Sequence, residues 1–328
     1  MDTGDTRTSD STQIGDITHM DIFIQQIING LVLGSMYALV ALGYTMVYGV
    51  LNLINFAHGD VLMIGAMIGL SILKLLQAVV PGLPGVAMIG IAIAGAIPLC
   101  VVVNVVIERV AYRRLRNAPR LAPLITAIGV SILLQTFAMI VWGRSPLPVP
   151  QVMPAEPFQV FGAVISPTQV MLLVLAALAM IGLVVLVEKT RIGRAMRATA
   201  ENPRIAGLMG VDADRVIVFT FALGAALAAV AGVMWGATYS SAQFAMGAIP
   251  GLKAFSAAVL GGIGNIYGAM LGGILLGLIE SLGAGYIGDL TDGFLGSNYQ
   301  DIFAFIVLIA ALTLRPSGLM GERVADRA

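Results

Sequence analysis

Polar side chains interrupt a long apolar stretch of the chain at VLNLINFAHGD, residues 50–60. Amide and imidazole groups at membrane depth can line the path of a polar solute, whereas lipid cannot satisfy their hydrogen bonds. We therefore interpret Asn52, Asn55 and His58 as candidates for the lining of a path or gate. The asparagines could instead join neighbouring helices, and His58 and Asp60 could end a half-helix at the membrane interface.

A second stretch, AVLGGIGNIYGAMLGG at residues 258–273, can be laid on the first with Val259 over Val50 and Gly268 over Gly59. The match predicts an internal duplication, with chance similarity between glycine-rich helices as the alternative. Interrupted half-helices at corresponding positions of two halves are typical of a transport path. The second stretch therefore adds four candidates for the path or gate: Gly261, Gly262, Gly264 and Asn265.

The segment RIGRAMRATAENPRIAGLMGVDADR, residues 191–215, carries the signals of a short helix. Asn202 suits the N-cap, Pro203 the first helical position and Gly210 the terminating position. So short a helix is unstable alone, and we expect it to dock on the membrane surface, on the protein's own helices or on a separate protein. The predicted contact comprises the apolar Ile205, Ala206, Leu208 and Met209, with Asn202 as cap, Gly207 between them, and Glu201 and Arg204 at the polar rim.

The composition places these elements in a membrane. The chain is 58% hydrophobic and 11% charged, with a mean hydropathy of +0.94, which is more apolar surface than a soluble domain could bury. Its apolar runs reach the roughly 20 residues of a membrane-spanning helix and do not alternate as barrel strands do. The sequence therefore predicts an all-α polytopic membrane protein. Candidate spans lie near residues 22–41, 60–80, 85–107, 121–142, 167–188, 216–240, 266–285 and 299–315, with shorter pieces at 44–57 and 250–263.

Arginine-rich loops predict the orientation of these spans. Basic residues concentrate after Ile107 and in residues 189–215, so both loops belong in the cytoplasm. The loop 143–166 and residues 286–298 carry almost no basic residues and therefore face the periplasm.

Parity then determines the role of the short piece at residues 250–263. Two full spans separate the inner loop 189–215 from the outer residues 286–298, so the short piece must cross as well. If residues 44–57 also cross, the chain has about ten membrane elements and an inner N-terminus; the alternative is about eight or nine elements and an outer N-terminus. We therefore expect about 8–10 transmembrane elements, including broken half-helices.

A single transmembrane domain, residues 21–316, accounts for most of the chain. Residues 1–20 are polar and we expect them to be a disordered tail, while residues 317–328 form a cytoplasmic C-terminal tail. The first tail lacks the basic-then-apolar order of a cleavable signal peptide, so translation could start at Met1 or Met20. Glycines four residues apart in GLVLG, GAMIG and GVMWG predict close helix packing.

Enzyme motifs are missing from the sequence. GGIGNIYG lacks the spacing of a dinucleotide loop, and VEKT at residues 187–190 lacks the glycine frame of a phosphate-binding loop. There is no Cys/His cluster, HExxH or GxSxG. The single cysteine of the sequence, Cys100, lies in an apolar run. We therefore expect no enzyme activity, no cofactor, no metal ion and no nucleic-acid partner.

Two stretches carry a resemblance to a known family: residues 29–66, which end in NFAHGDVLMIGA, and GRAMRATAENPRIAGLMGVD at residues 193–212. Together they resemble the permease subunits of bacterial branched-chain amino acid ABC importers of the LivH-like type, and the likeness runs from about Ile24 to Pro316. The resemblance implies a multi-pass protein of the bacterial inner membrane. It implies a second related permease subunit, two cytoplasmic ATPase subunits that supply energy, and a periplasmic substrate-binding protein. ENPRIAGLMG then corresponds to the coupling helix, which seats in a groove of an ATPase subunit.

The resemblance leaves the solute open, because importers of urea and short-chain amides share these motifs. A secondary transporter is an alternative, but it would need coupling carboxylates at mid-membrane. Glu280 lies about 14 residues, roughly 21 Å, into its span and so near the outer face, and Asp60 lies near the inner face. Lys74 and Lys253 are expected near the outer face, where long side chains reach the interface. A passive channel for a small neutral solute is the third alternative, against which the docked cytoplasmic helix argues.

Overall fold

The computed structural model of the chain is built almost entirely from helices. It describes residues 19–116, 118–119, 121–154, 156–160, 162–291, 300–315 and 317–321. The long helices are α1 His19–Leu51, α2 His58–Val79, α3 Gly85–Ile107, α5 Leu121–Trp142, α6 Pro167–Lys189, α9 Ala213–Tyr239 and α11 Ile266–Leu290. The shorter helices are α4 Arg113–Leu115, α7 Arg191–Glu201, α8 Pro203–Leu208, α10 Ala248–Gly261 and α12 Gln300–Leu314, and a π-helical segment Glu108–Tyr112 joins α3 to α4.

Membrane-crossing length is reached by seven helices in the described part of the chain, and α10 and residues Phe305–Leu314 of α12 are shorter apolar helices. The predicted class, an all-α polytopic membrane protein, is confirmed. The described strands are short and lie between helices: β1 Leu147–Pro148 pairs with β4 Ser241–Ala242, and β2 Phe158–Val160 pairs with β3 Ala163–Ile165, both antiparallel. The N-terminal tail and the predicted C-terminal tail beyond residue 321 lie outside the described residues.

The prediction that residues 44–57 form a separate half-helix is wrong, because α1 continues without a break through Leu51. The bounds of the predicted pieces, 22–41 and 44–57, place a break near Gly43. Instead this glycine stays helical, and its missing side chain leaves the space that the His58 ring occupies. The helix ends at Asn52, which has a left-handed φ of 54° and whose N–H donates to the carbonyl of Tyr48 at 2.7 Å. Left-handed backbone is common at helix C-termini, and asparagine adopts it more readily than most residues.

The two breaks in the helices nevertheless correspond. The first separates Leu51 from His58, and the second separates Gly261 from Ile266. With Val259 laid over Val50, the ends of the two pairs of helices agree to within one residue. What differs is the first helix of each pair, which has 33 residues in α1 and 14 in α10.

Contacts at its two ends show the direction of α1. Near its start, the side-chain amide of Gln25 donates to the carbonyl of Val164, in the loop between α5 and α6, at 3.0 Å. Near its end, Gly49 lines a small cavity together with Val187 of α6 and Met196 of α7. If the arginine-rich ends of the helices are cytoplasmic, α1 runs from outside to inside. This direction agrees with the alternative in which the N-terminus is outside.

Glycines bring the central helices together as predicted. A Cβ on Gly34 would lie 2.7 Å from the Cα of Ile274, and one on Gly65 would lie 2.8 Å from the Cα of Ala229. Such distances are too short for a side chain, so α1 packs backbone to backbone on α11, and α2 packs in the same way on α9. Most of α1, α2 and α9 is buried in this way, whereas α3, α5 and α6 leave most of their surface for lipid.

Replacing Gly34 with alanine should therefore lower the stability of the protein by about 1–3 kcal/mol, because the added methyl group forces α1 away from α11. Gly90 is the matched control. It lies within α3, and a Cβ there would meet nothing within 4 Å, so Gly90→Ala should change stability by less than about 0.5 kcal/mol. Thermal unfolding of the purified protein in detergent measures both effects. Equal unfolding midpoints for the two variants would contradict the packing role of Gly34.

Candidate functional site

The first break holds the candidates Asn52, Asn55 and His58 in three different environments. Asn52 is exposed where α1 ends. Asn55 is buried, and its side-chain oxygen accepts hydrogen bonds from the backbone N–H of Ala57 at 3.2 Å and from the hydroxyl of Tyr112 at 2.9 Å. Asn55 therefore shapes the turn into α2 and joins it to the π-helical segment that follows α3. Its side-chain nitrogen has no partner among the described residues.

The imidazole of His58 is fully buried between α1, α2 and α9. Its ring meets the ring of Tyr44 edge-on, with centroids 4.9 Å apart, and a Cβ on Gly224 of α9 would lie 3.5 Å from it. In the single chain His58 therefore packs between helices and has no surface open to solvent. Asp60 is also buried, and its carboxylate accepts a hydrogen bond from the amide of Gln135 on α5 at 3.0 Å.

The second break holds the candidates Gly261, Gly262, Gly264 and Asn265. Asn265 is the N-cap of α11, because its side-chain oxygen accepts a hydrogen bond from the N–H of Gly268 at 3.0 Å. Its amide nitrogen donates to the carbonyl of Met320 at 2.9 Å, and the N–H of Met320 donates to the carbonyl of Gly261 at 2.9 Å. Gly261 and Gly262 are buried under this C-terminal segment, and Gly264 is exposed.

One small cavity joins the last turns of α1 and the second break to α7. Its volume is about 90 Å³, and its lining includes Thr45 and Gly49 of α1, Gly264 of the second break, and Arg197 of α7. Sequence reasoning had not connected α7 with the breaks. The structure thus brings Gly264 beside the last turns of α1. Asn55 instead contacts the π-helical segment after α3, and His58 contacts α9. That these residues line a path remains a prediction.

Replacing Asn55 with leucine tests whether this amide serves transport or packing. If it lines the path of the assembled transporter, Asn55→Leu should reduce uptake about tenfold or more, since an unmet polar contact costs about 1–3 kcal/mol. Tyr112→Phe is the matched control, because it removes the hydrogen bond between Tyr112 and Asn55 but keeps the amide. Uptake in vesicles, normalised to the assembled complex, gives the answer. Equal losses in both variants would favour packing over a path.

A buried ionic cluster links α1, α10, α11 and α12. The ammonium of Lys253 lies 2.5 Å from a carboxylate oxygen of Glu280 and 2.5 Å from one of Asp301. The hydroxyl of Tyr37 donates to the other oxygen of Glu280 at 3.0 Å. Lys253 and Glu280 are buried, whereas the side chain of Asp301 is 41% exposed.

The expectation that Lys253 extends towards the outer membrane surface is therefore wrong. Its side chain turns inward, because two carboxylates from neighbouring helices compensate its charge there. The sequence signal for this ion pair was the presence of opposite charges, Lys253 and Glu280, inside two apolar segments. The spacing along the chain could not show that the two side chains meet.

The short helix α8 has the predicted caps. The side-chain oxygen of Asn202 accepts hydrogen bonds from the backbone N–H groups of Arg204 and Ile205 at 3.0 and 3.1 Å. At the other end, Gly210 has a φ of 83°, and the N–H of Val211 donates to the carbonyl of Ala206 at 3.0 Å. The hydrogen bond from Val211 to Ala206 and the positive φ of Gly210 are those of a Schellman termination, which requires a left-handed residue such as glycine.

The apolar residues of this region divide between two sides. Ile205, Leu208 and Met209 are 58%, 83% and 80% exposed, respectively. Ala206 is buried against the protein's own helices, so the prediction that it belongs to the docking face is wrong. A turn this short carries apolar residues on every side, so their order alone does not show which of them face the protein. Glu201 and Arg204 are exposed, as expected for the edge of a contact, and Gly207 between the apolar residues is exposed as well.

The comparisons with known proteins identify the same family over almost the whole chain. Residues 26–312 match the family model described as "Branched-chain amino acid transport system / permease component". The chain is 44% identical to the high-affinity branched-chain amino acid transport system permease protein BraD of Pseudomonas aeruginosa, covering 93% of this chain and 98% of that protein. It is 42% identical to the corresponding LivH of Escherichia coli K12, covering 93% and 97% of the two chains. A probable LivH of Methanocaldococcus jannaschii is 29% identical, covering 92% and 94%. No solved structure matches significantly.

Proposed function

Because the chain belongs to the family of branched-chain amino acid transport permease components, we propose that it is the membrane-spanning subunit of an importer for branched-chain amino acids. The observation that carries the proposal is the similarity to BraD, which extends over nearly the full length of both proteins. A match of this extent includes both helix breaks and the cytoplasmic helices. The proposed location is the inner membrane of a bacterium.

Energy for transport is proposed to come from two separate ATPase subunits bound on the cytoplasmic side. Three neighbouring apolar side chains of the α8 region are exposed there, and α8 itself is tightly capped at both ends. An exposed apolar surface on a rigid short helix suits a groove in a partner protein. A second, related permease subunit would complete the path, and a periplasmic binding protein would deliver the solute.

The buried carboxylates support this function over that of an ion-driven secondary transporter. Such a transporter needs a carboxylate that can take up and release a proton or a sodium ion during transport. Glu280 is instead paired with Lys253 and Tyr37, and Asp60 is bonded to Gln135. Both groups hold helices together and are poorly placed for such exchange.

Reconstitution tests the proposal directly. The complex purified through this chain is placed in vesicles with its ATPase subunits and binding protein, and uptake of leucine, urea and acetamide is compared with and without enclosed ATP. We expect ATP-dependent uptake of leucine alone. ATP-dependent uptake of urea or acetamide would show that the chain serves an importer of amides and not one of branched-chain amino acids. Uptake of any of these solutes without ATP would support a passive channel and contradict the proposal.

A further inference from the structure

A groove between α3 and α9 lies where both helices leave the membrane on the arginine-rich side. Its volume is about 570 Å³. Apolar side chains line one end and charged side chains line the other. The apolar lining consists of Val101, Val105, Val218, Phe219 and Ala222, and the charged lining of Arg109, Arg113, Asp212, Asp214 and Arg215.

The two helices run in opposite directions. On both of them, however, the apolar residues of the groove lie deeper in the membrane and the charged residues lie nearer its surface. From Val101 of α3 to Arg109 of the following π-helical segment, and from Ala222 to Asp214 along α9, eight residues correspond to roughly 12 Å. The neighbouring valines along this segment are between 52% and 61% exposed, as expected of a surface that faces lipid: Val102, Val106 and Val110. The groove therefore passes from hydrocarbon depth to the level of lipid headgroups.

The charges at the cytoplasmic end do not balance. Asp214 is paired with both Arg113 and Arg116, Arg116 is also paired with Glu108, and Arg215 is paired with Asp212 at 2.9 Å. Arg109 is exposed and makes no ion pair with any residue that the structure describes. Three arginines and two aspartates leave the groove with one net positive charge, so it is complementary to a single negative charge.

We propose that this groove binds a phospholipid with a monoanionic headgroup, such as phosphatidylglycerol. Its phosphate lies against the guanidinium of Arg109, and one acyl chain lies along Val105 and Phe219. Basic pockets between membrane helices on the cytoplasmic side are suited to anionic headgroups. A soluble anion would use only the charged end and would leave the apolar end of the groove unfilled.

Native mass spectrometry of the purified complex tests the site, with phosphatidylglycerol and phosphatidylcholine added in equal amounts. We expect the wild-type protein to retain phosphatidylglycerol in preference to phosphatidylcholine. Arg109→Gln should weaken this retention roughly fivefold. Arg114→Gln is the matched control, because Arg114 is an exposed arginine near the same helix end that does not line the groove. Equal losses in the two variants would overturn the proposal, since they would indicate unspecific attraction to the basic surface.

A second variant separates a lipid from a soluble anion. Ala222→Phe keeps every charge but fills the apolar end of the groove. We expect this variant to lose phosphatidylglycerol, and we expect millimolar inorganic phosphate not to displace the lipid from the wild-type protein. Unchanged retention in Ala222→Phe, or displacement by phosphate, would show an anion site without a lipid chain. Equal retention of phosphatidylcholine and phosphatidylglycerol by the wild-type protein would likewise overturn the proposal.

Discussion

Replacing Gly207 with tryptophan should abolish the stimulation of ATP turnover by the solute-loaded binding protein and should reduce uptake about tenfold or more. The expectation rests on the proposed contact between α8 and an ATPase subunit, in which added volume costs about 1–3 kcal/mol. Gly207 is exposed, and a Cβ there would meet no atom of this chain within 4 Å. The tryptophan therefore disturbs a partner and leaves the fold of the permease intact. Uptake and ATP turnover are measured together in the reconstituted complex.

Gly182 provides the control for this experiment. It is an exposed glycine of α6, and a Cβ there would also meet nothing within 4 Å, but it lies in a membrane span. Gly182→Trp should keep both uptake and stimulation near the wild-type values. If Gly207→Trp also keeps both, α8 does not couple ATP hydrolysis to transport. If both variants lose the two activities equally, the added tryptophan acts through lipid or assembly and the proposed contact is wrong.

Replacing Lys253 with methionine should destabilise the protein by about 3–5 kcal/mol, because it leaves the buried carboxylate of Glu280 without its cation. Glu280 would retain the hydroxyl of Tyr37, which offers one hydrogen bond and no charge. Asp301 should contribute less to the loss, because water reaches its partly exposed side chain. The unfolding midpoint of the detergent-purified protein and the yield of monodisperse protein measure the effect.

The double variant Lys253→Met with Glu280→Met distinguishes the loss of charge pairing from the loss of packing. Apolar side chains of similar volume can replace a buried ion pair at little cost. The double variant should therefore be more stable than Lys253→Met alone. A double variant as unstable as the single one would mean that the shape of the lysine side chain matters and that its charge does not.

Local signals in the sequence determined the membrane class, the helix caps and the position of the second helix break. Long apolar runs specify spanning helices because lipid offers no hydrogen bonds, so the backbone N–H and C=O groups must bond within the chain. Asn202 and Gly210 bound α8 because caps depend on the residues within one turn of a helix end. The bounds of the predicted pieces, 250–263 and 266–285, located the second break for the same reason, whereas the first break, residues 52–57, lies inside the piece predicted as a half-helix. These features require no knowledge of how the helices pack.

Packing between distant helices decided the remaining features. Lys253 meets Glu280 across 27 positions of the chain, and Tyr37 meets Glu280 across 243. Asn55 and Tyr112 are 57 positions apart. Whether such side chains touch depends on the rotation and tilt of each helix, which are set by the close glycine contacts of α1, α2, α9 and α11. Gly43 likewise stays inside a continuous α1, with the His58 ring packed against it, where the apolar pattern favoured a break. The burial of Ala206 and the exposure of Leu208 were likewise decided by where α8 lies on the folded protein, because so short a helix has no pattern that identifies its inner side.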